Sequence, residues 1–301
     1  MESKIAVLGL IVASLIWAIT GVSFKILLSE GLSFALILWV IVIFRFISVA
    51  LISKYKNFKH EWVKDTKELK IILLNALFAL GTPVLFVLAL EQLNLSTVYF
   101  IVFTAPAWVL VFAVFFLGEK LRLKKIIGLL LTLLGVYFIV NPENIGVNVG
   151  FFFALLAALS FSGDIITGRE LKDYHFHTVA LYANGFQVIV LTIVTFLFFE
   201  FPSFNHPFLF LSGLILLGLF RGLASDFYYY ALEKLEASTA SIITLAELIF
   251  ASLLAFLILN EIPTQTEVIG YGFILVSGLL LILRRSDIEH FEYLIHLRRK
   301  H

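Results

Sequence analysis

Five ionisable residues lie deep inside long apolar stretches of the sequence, namely Arg45, Asp164, Arg221, Asp226 and Glu247. At the centre of a membrane span each would cost at least about 2.5–3.5 kcal/mol on insertion scales, so each is expected to face protein or water. If all five are ionised, their charges sum to −1, and one carboxylate lacks a basic partner. That carboxylate is expected to be protonated, to take up a proton in a working cycle, or to meet a cationic ligand group.

The surroundings of these charges favour inward-facing positions. Small and polar residues accompany the three acids and the second arginine at helical spacing: Ser160, Gly163, Asp164 and Thr167; Arg221, Ser225 and Tyr228; Gly222, Asp226 and Tyr229; Ala240, Thr244, Glu247 and Ala251. Small residues let helices approach closely or leave room for a cavity. Because a guanidinium can hold a carboxylate in a bidentate fork, Arg221 is expected either to bind a ligand carboxylate or to neutralise Asp164 or Asp226. Glu247 is assigned to ligand binding or coupling.

Composition places the chain in a membrane. Of its 301 residues, 61% are hydrophobic and 14% are charged, and its mean hydropathy is +1.02. A soluble domain this apolar could not cover its surface. Cysteine is absent, which excludes disulfides and thiolate metal sites. The net charge of +1 gives no field that would attract nucleic acid, so the lipid bilayer is the expected partner and nucleic acid is not.

Ten apolar stretches are long enough to cross about 30 Å of hydrocarbon as helices. Lipid cannot satisfy exposed backbone groups, and the stretches are too long for barrel strands, so an all-α integral membrane fold is expected. The predicted spans cover residues 5–28, 33–53, 71–91, 96–117, 124–141, 148–168, 177–199, 207–231, 238–259 and 265–283. The first stretch lacks a clear cleavage site and is expected to be a retained span.

The distribution of Lys and Arg predicts the orientation of the spans. With the N-terminus in the cytoplasm, all but three of the 22 basic residues fall on the cytoplasmic side or in the tail. Both termini are therefore expected inside the cell, with the chain in the inner or plasma membrane. The tail over residues 286–301 is expected to form an amphipathic helix on the cytoplasmic leaflet, with a solvated tail as the alternative.

The chain repeats itself after 142 residues. Residues 89–97 read Ala-Leu-Glu-Gln-Leu-Asn-Leu-Ser-Thr, residues 231–239 read Ala-Leu-Glu-Lys-Leu-Glu-Ala-Ser-Thr, and Glu119 recurs as Glu261. Because one unit holds five spans, the second copy must lie upside down, and the basic residues after Glu119 indeed have no counterpart after Glu261. The expected domains are a first repeat over residues 1–142 and a second over residues 143–285, followed by the tail.

Each half resembles an EamA unit of the drug/metabolite transporter superfamily. The resemblance rests on Trp17, Arg45, Phe46, Ser96, Thr97, Pro106, Gly118, Glu119, Gly128 and Gly135 in the first half, and on Glu247, Glu261 and Gly270 in the second. It implies ten transmembrane helices in two inverted-topology five-helix repeats, and a carrier that works by alternating access around a central cavity. Two departures, Leu248 in place of the usual proline and Asn260 opposite Gly118, leave open whether the ninth helix bends as the fourth does.

Four uncharged residues complete the expected substrate-binding or coupling site. Trp17 lies on a stripe of small residues and is expected to face a gap, and Tyr99 and Tyr228 can donate hydrogen bonds. Thr82 interrupts the third span with Pro83, where a kink near the cavity is expected. Ordinary helix packing is the alternative for each of them.

Five residues receive structural assignments. Arg45 is expected to bond backbone or a neighbouring acid, and Pro83 and Pro106 to interrupt the third and fourth spans. Glu119 and Glu261 are expected to cap the helix that follows each of them, because a helix N-terminus favours negative charge.

The expected function is that of a secondary-active transporter, which exports or exchanges a small organic metabolite such as an amino acid, an amine or a drug-like compound. Proton coupling is suggested by the unpaired acid. An intramembrane enzyme is an alternative class, but all seven His fall in predicted loops or the tail and no catalytic motif is present, so no catalytic residue, cofactor or metal is expected. A channel or sensor is the other alternative, although a channel would repeat its polar lining in both halves.

Overall fold

The computed structural model describes residues 2–58, 63, 65–142, 148–198, 208–260 and 262–282, and all regular structure in these residues is helical. The helices are α1 (Glu2–Ser29), α2 (Phe34–Lys56), α3 (Thr66–Leu90), α4 (Leu95–Val102), α5 (Ala105–Leu117), α6 (Leu123–Val140), α7 (Val149–Glu170), α8 (Phe176–Phe198), α9 (Phe208–Lys234), α10 (Ala237–Ile243), α11 (Ala246–Leu259) and α12 (Gln265–Ile282). The predicted all-α fold class is confirmed. The predicted amphipathic tail lies outside the described residues.

The helices follow the predicted spans closely. Among the described residues, nine helical segments are long and apolar enough to cross a bilayer, and the tenth span corresponds to the shorter α12. Their ends carry local stop signals. Gly118 ends α5 and Asn260 ends α11, both in the left-handed backbone region, with φ of 65° and 56°. Glycine and asparagine are the residues that adopt this conformation most readily, so the replacement of glycine by Asn260 preserves the cap.

The fourth and ninth spans are both broken near their middle. The first break separates α4 from α5, where Pro106 lies in the first turn and cannot donate a backbone hydrogen bond. The second break separates α10 from α11 although no proline is present. At each break a threonine hydroxyl donates to the carbonyl three residues earlier, Thr104 to Ile101 at 2.6 Å and Thr244 to Ser241 at 2.7 Å. Such bonds compete with regular helix geometry, so the ninth span breaks without the family's usual proline.

Helices α6 and α12, which occupy equivalent places in the two repeats, pack antiparallel. The hydroxyls of Thr132 and Ser277 lie 2.8 Å apart, and Ser277 also donates to the carbonyl of Gly128 at 2.7 Å. A Cβ on Gly135 would lie 2.8 Å from the Gly270 carbonyl oxygen, and one on Gly270 would lie 2.6 Å from that of Gly135. Glycine is therefore required at both positions. Reciprocal contacts of this kind are expected between equivalent helices of the predicted inverted repeats.

Among the described residues, the helices pack together more closely at one end of the bundle than at the other. Where α5 ends and α10 begins, α5 packs on α10, and α7 packs on both α9 and α10. The equivalent pairs at the opposite end, α4 with α11, α1 with α3 and α1 with α4, do not pack to a comparable extent. We call the first of these the closed end and the second the opposite end. A large apolar cluster that includes Leu10, Ile72, Val109, Ile165 and Leu232 fills the closed-end half.

Candidate functional site

A hydrogen-bonded network holds Asp164 in the closed-end half of the bundle. The side-chain amide of Asn75 donates to Asp164 Oδ1 at 2.7 Å and to its backbone carbonyl at 2.8 Å. The hydroxyl of Tyr228 donates to Asp164 Oδ2 at 3.1 Å, and that of Tyr229 donates to Asn75 Oδ1 at 2.6 Å. Both carboxylate oxygens of this buried residue are thus bonded. A fully connected network of this kind fixes the positions of its members.

Glycines in α7 bring this network together. A Cβ on Gly163 would lie 2.6 Å from the ring of Phe78 in α3, and one on Gly168 would lie 2.6 Å from the side chain of Leu232 in α9. Because neither glycine has a side chain, α3 and α9 approach α7 closely enough for Asn75 and Tyr228 to reach Asp164. The role of Asn75 was not predicted. It was visible only as a polar interruption of the third span.

Arg221 lies near the middle of α9 and is half-buried. Its guanidinium carbon is 5.8 Å from the ring centroid of Trp17, which in turn makes an edge contact with Tyr228 at 5.5 Å between ring centroids. The predicted pairing with Asp164 or Asp226 is not observed. Among the described residues Arg221 forms no ion pair or hydrogen bond, and its Nε atom is buried without a partner. Its strongest electrostatic interaction with an acid is with Glu247, followed by that with Asp164.

Glu247 lies in the first turn of α11, at the break in the ninth span. Its side chain is half-buried and has no hydrogen-bond or ion-pair partner within the described part of the chain. Arg221 is the charged group that acts on it electrostatically. The free N-terminus of α11 also favours a negative charge at this position. Arg221 and Glu247 are therefore close enough to interact through space but are not in contact.

Asp226 does not join the other charges. Its Oδ1 atom lies 2.9 Å from Nδ1 of His177, and the His177 ring stacks on Phe58 at 4.8 Å between ring centroids. His177 is buried in the first turn of α8. It is the first residue of the predicted span over residues 177–199, although it was counted with the histidines of the loops. With Asp226 paired elsewhere, the central group comprises two arginines and two acids and is neutral when ionised. The acid in excess in the sum of five charges is Asp226, and its partner His177 is charged only if protonated.

The remaining predicted site residues divide into two groups. Trp17 and Tyr228 contact the charged residues as described above. Tyr99 packs between Phe86 and Phe103, at 4.9 and 5.5 Å between ring centroids, and interacts electrostatically with Glu247. The described hydrogen bond of Thr82 lies within its own helix, where its hydroxyl donates to the carbonyl of Phe78 at 3.2 Å.

Arg45 lacks the structural partner predicted for it. It is half-buried at the middle of α2, and no described residue forms an ion pair or hydrogen bond with its side chain. Its Nε atom is buried and unsatisfied. The groups that act on it electrostatically are Arg221, Tyr229 and Asp164, which are all members of the central site.

Glu119 caps a helix, but a different one from that predicted. Its Oε1 atom accepts a hydrogen bond from the backbone N–H of Ala237, the first residue of α10, at 2.5 Å, and its Oε2 atom accepts one from the Ser238 hydroxyl at 2.5 Å. Lys125, which is 1% exposed, donates to Oε2 at 2.8 Å and also pairs with Glu236 at 3.1 Å. The contact therefore joins the two repeats across the closed end instead of capping α6. Glu261 lies outside the described residues.

The two predicted prolines differ in effect. Pro106 lies in the first turn of α5, at the break, whereas α3 continues through Pro83.

A surface cavity of about 350 Å³ lies at the closed end, lined by residues that include Lys120, Arg122 and Arg169. It is remote from Arg221 and Glu247. No group of three or more His, Asp or Glu side chains suited to a metal ion occurs in the part of the chain that the structure describes.

Comparison with known proteins gives a consistent result. A model of the EamA-like transporter family matches residues 4–141 and 148–284. The uncharacterized transporter YoaV of Bacillus subtilis is 24% identical, over 87% of this chain and 91% of its own. An S-adenosylmethionine uptake transporter of Rickettsia conorii is 24% identical, over 79% of this chain and 80% of its own.

A solved structure has the same fold. It is a crystal structure of a protein with 15% identity and a TM-score of 0.78, which covers 92% of this chain and 98% of that one. Together with the nine apolar helices of membrane length in the described residues, the family match makes this chain a multi-pass membrane protein.

Proposed function

Because this chain belongs to the EamA-like transporter family, we propose that it is a secondary carrier, an exporter or exchanger of a small zwitterionic metabolite such as an amino acid. The substrate binds at the middle of the bundle, between Arg221 on α9 and Glu247 on α11. Its carboxylate is bound by Arg221 and its cationic group by Glu247. Trp17 and Tyr99 border the space between them.

The absence of an ion pair between Arg221 and Glu247, both of them described residues, carries this proposal. Two opposite charges at the centre of a bundle normally form a hydrogen-bonded pair, because an unpaired buried charge is costly. These two interact through space without an ion-pair contact. A molecule with a negative and a positive group can complete both. A substrate with only one charge would leave either Arg221 or Glu247 without a partner.

The orientation follows the distribution of basic residues. We place the closed end in the cytoplasm, since Lys120, Arg122, Lys124 and Lys125 border it. The conformation is then open outward. To open the site to the cytoplasm, where an exporter binds its substrate, the contact of Glu119 with α10 must break, and α4 must move towards α11. The breaks within the fourth and ninth spans allow their half-helices to move separately.

Proton coupling centres on Glu247. Asp164 is held by Asn75 and Tyr228, and Asp226 is paired with His177. Glu247 is left as the central acid without a bonded partner among the described residues, so a proton can take the place of the substrate's cationic group. Exchange of substrate for a proton would follow from that competition.

S-adenosylmethionine is a second candidate substrate. A relative from Rickettsia conorii is named for its uptake. The methionine part of this compound carries an α-ammonium and a carboxylate, and its sulfonium adds a second positive charge. The same two protein groups would bind its amino acid head. Uptake instead of export would then be the direction of net flux.

Flux measurements test the proposal. Purified protein in proteoliposomes is expected to move a radiolabelled amino acid with saturable kinetics, and Glu247→Gln is expected to lower that flux by about 30-fold or more, since removal of one partner of a buried charge pair costs about 2–5 kcal/mol. Wild-type flux and pH dependence in this variant would refute the role of Glu247. Ohmic current without saturation would favour a channel, and chemical conversion of the compound would favour an enzyme.

A single-cysteine experiment tests the orientation. The natural chain has no cysteine, so a residue introduced at Lys124 provides a unique label site. We expect a membrane-impermeant thiol reagent to label it only after the cell is opened. Labelling from outside intact cells would reverse the proposed topology.

A further inference from the structure

We propose that Arg45 is a second substrate-binding residue, and that it forms with Arg221 a two-guanidinium subsite that binds the substrate carboxylate. This inference rests on the proposed function and names the anionic group that the carrier requires. It replaces the structural role that the sequence suggested for Arg45.

The packing of α2 on α9 places Arg45 and Arg221 at the same level along the two helices. Gly218 and Gly222 flank Arg221, and a Cβ on Gly222 would lie 2.8 Å from the carbonyl oxygen of Arg45. The Ser48 hydroxyl donates to the Leu219 carbonyl at 2.8 Å and fixes this crossing. The α2 backbone at Arg45 therefore touches α9 at the turn that carries Arg221.

The missing hydrogen bonds of Arg45 and Arg221 fit a role in ligand binding better than a structural role. A structural arginine in an apolar bundle bonds to backbone carbonyls or acids, as Arg169 does with the carbonyls of Leu232 and Glu233, both at 2.6 Å. Neither Arg45 nor Arg221 has such a bond to a described residue, and the Nε atom of each is buried and unsatisfied. Both residues are nevertheless only half-buried, so part of each is accessible.

Two neighbouring guanidinium groups repel each other unless an anion lies between them. A carboxylate has two oxygens and accepts a planar fork from each side, which is the geometry that arginine provides. Glu247 and Asp164 balance the two positive charges overall, but neither forms an ion pair with them. The anion is thus expected to come from the substrate, and compounds that lack a carboxylate should bind poorly.

Thermal unfolding of purified protein with matched probes tests the subsite. The probes are leucine and tryptophan, each with its amide, its decarboxylated amine and its deaminated carboxylic acid. We expect the wild type to be stabilised by the probes with a carboxylate. Arg45→Gln should weaken their binding by about 10- to 100-fold, the effect of losing a charged hydrogen bond, and Arg45→Lys should restore part of it.

Melting without a probe separates a binding role from a structural one. Since Arg45 has no bonded partner to lose among the described residues, Arg45→Gln should melt at or above the wild-type temperature. Arg169→Gln is the matched control. It loses two backbone bonds, so it should melt earlier and keep the wild-type dissociation constant for each probe. A lower melting temperature for Arg45→Gln, equal to that of the control, would overturn the proposal.

The remaining outcomes distinguish the subsite from the proposed function. If deaminated acids stabilise the wild type but amino acids do not, the zwitterion proposal fails and the carboxylate subsite stands. If amines and amides bind as well as the acids, or if Arg45→Gln keeps wild-type affinity, the subsite is wrong while a carrier of cationic compounds remains. If no carboxylate probe stabilises the wild type, the subsite is overturned.

Discussion

The charged side chains inside the bundle are of two kinds, those bonded to a described partner and those without one. In the closed-end half, Glu119 and Lys125 bond to each other, and the Asp164 carboxylate is bonded through both oxygens. At the middle of the helices, Arg221 and Glu247 have no bonded partner among the described residues, although they interact electrostatically. These bonded groups also join helices from the two sequence copies, since Glu119 accepts from Ala237 and Asp164 accepts from Asn75. The unbonded ones interact electrostatically without forming an ion pair.

This difference separates the charges that maintain the conformation from those that await a ligand. A bonded buried pair is strongly destabilised when one partner is removed, because the other is left unsatisfied. An unbonded charge has already lost its solvation, so its removal need not destabilise the empty protein. Stability and substrate binding should therefore respond in opposite ways to substitutions in the two regions.

The largest effect on stability is expected from Glu119→Ala. Loss of this carboxylate leaves Lys125 buried with Glu236 alone and removes the cap of α10. We expect a loss of about 3 kcal/mol of unfolding free energy, near the lower limit for breaking a buried ion pair, because the bond to Glu236 remains. Reversible unfolding by SDS in mixed micelles measures this loss.

The matched control lies at the opposite end. Glu267 is the repeat partner of Lys125 and caps its own helix, with an exposed carboxylate that accepts from the Thr264 backbone at 2.5 Å and from its hydroxyl at 3.0 Å. Glu267→Ala should cost about 0.5–1 kcal/mol, as the loss of an exposed cap does. Equal losses in the two variants would show that the closed end is not held by Glu119.

A smaller effect is expected at Asp164. Asp164→Ala leaves the Asn75 amide and the Tyr228 hydroxyl without their acceptor, so we expect a loss of about 1–3 kcal/mol in the same unfolding assay. Asp164→Asn keeps an acceptor for Asn75, and the Tyr228 hydroxyl can rotate to accept from the new amide. This variant should retain most of the stability. If Asp164→Ala melted like the wild type but bound no substrate, Asp164 would belong with the unbonded charges.

The sequence predicts the spans and the repeat more readily than it predicts the contacts between side chains. The ten spans and the 142-residue repeat follow from apolar length and from recurring residues, which are local properties. The sequence did not decide whether the ninth span breaks, because Leu248 replaces the expected proline. The bond from Thr244 to Ser241 that accompanies this break is local and could have been considered.

The bonding partners of the buried charges could not be predicted from local sequence properties. Asn75 is 89 residues from Asp164, and His177 is 49 residues from Asp226. Helical spacing shows which face a residue occupies, but which helix faces it depends on packing. The charge of −1 for the five buried residues was counted correctly. It combined residues from two separate places, however, because Asp226 is bonded to His177 and does not join the other four.

The smallest effect concerns coupling within each pair, and double-mutant cycles measure it. In the empty protein, Asn75→Ala and Asp164→Ala should couple by about 0.6–1.7 kcal/mol, as interhelical hydrogen bonds in membranes do. Arg221→Gln and Glu247→Gln should couple by less than about 0.5 kcal/mol, because their side chains do not meet. Repeating both cycles with saturating substrate sharpens the contrast. A zwitterion that bridges Arg221 and Glu247 makes each residue's contribution depend on the other, so their coupling should rise, while that of Asn75 and Asp164 should stay constant. Strong coupling of Arg221 and Glu247 without substrate would mean that they form a structural pair, and the distinction between the two regions would be lost.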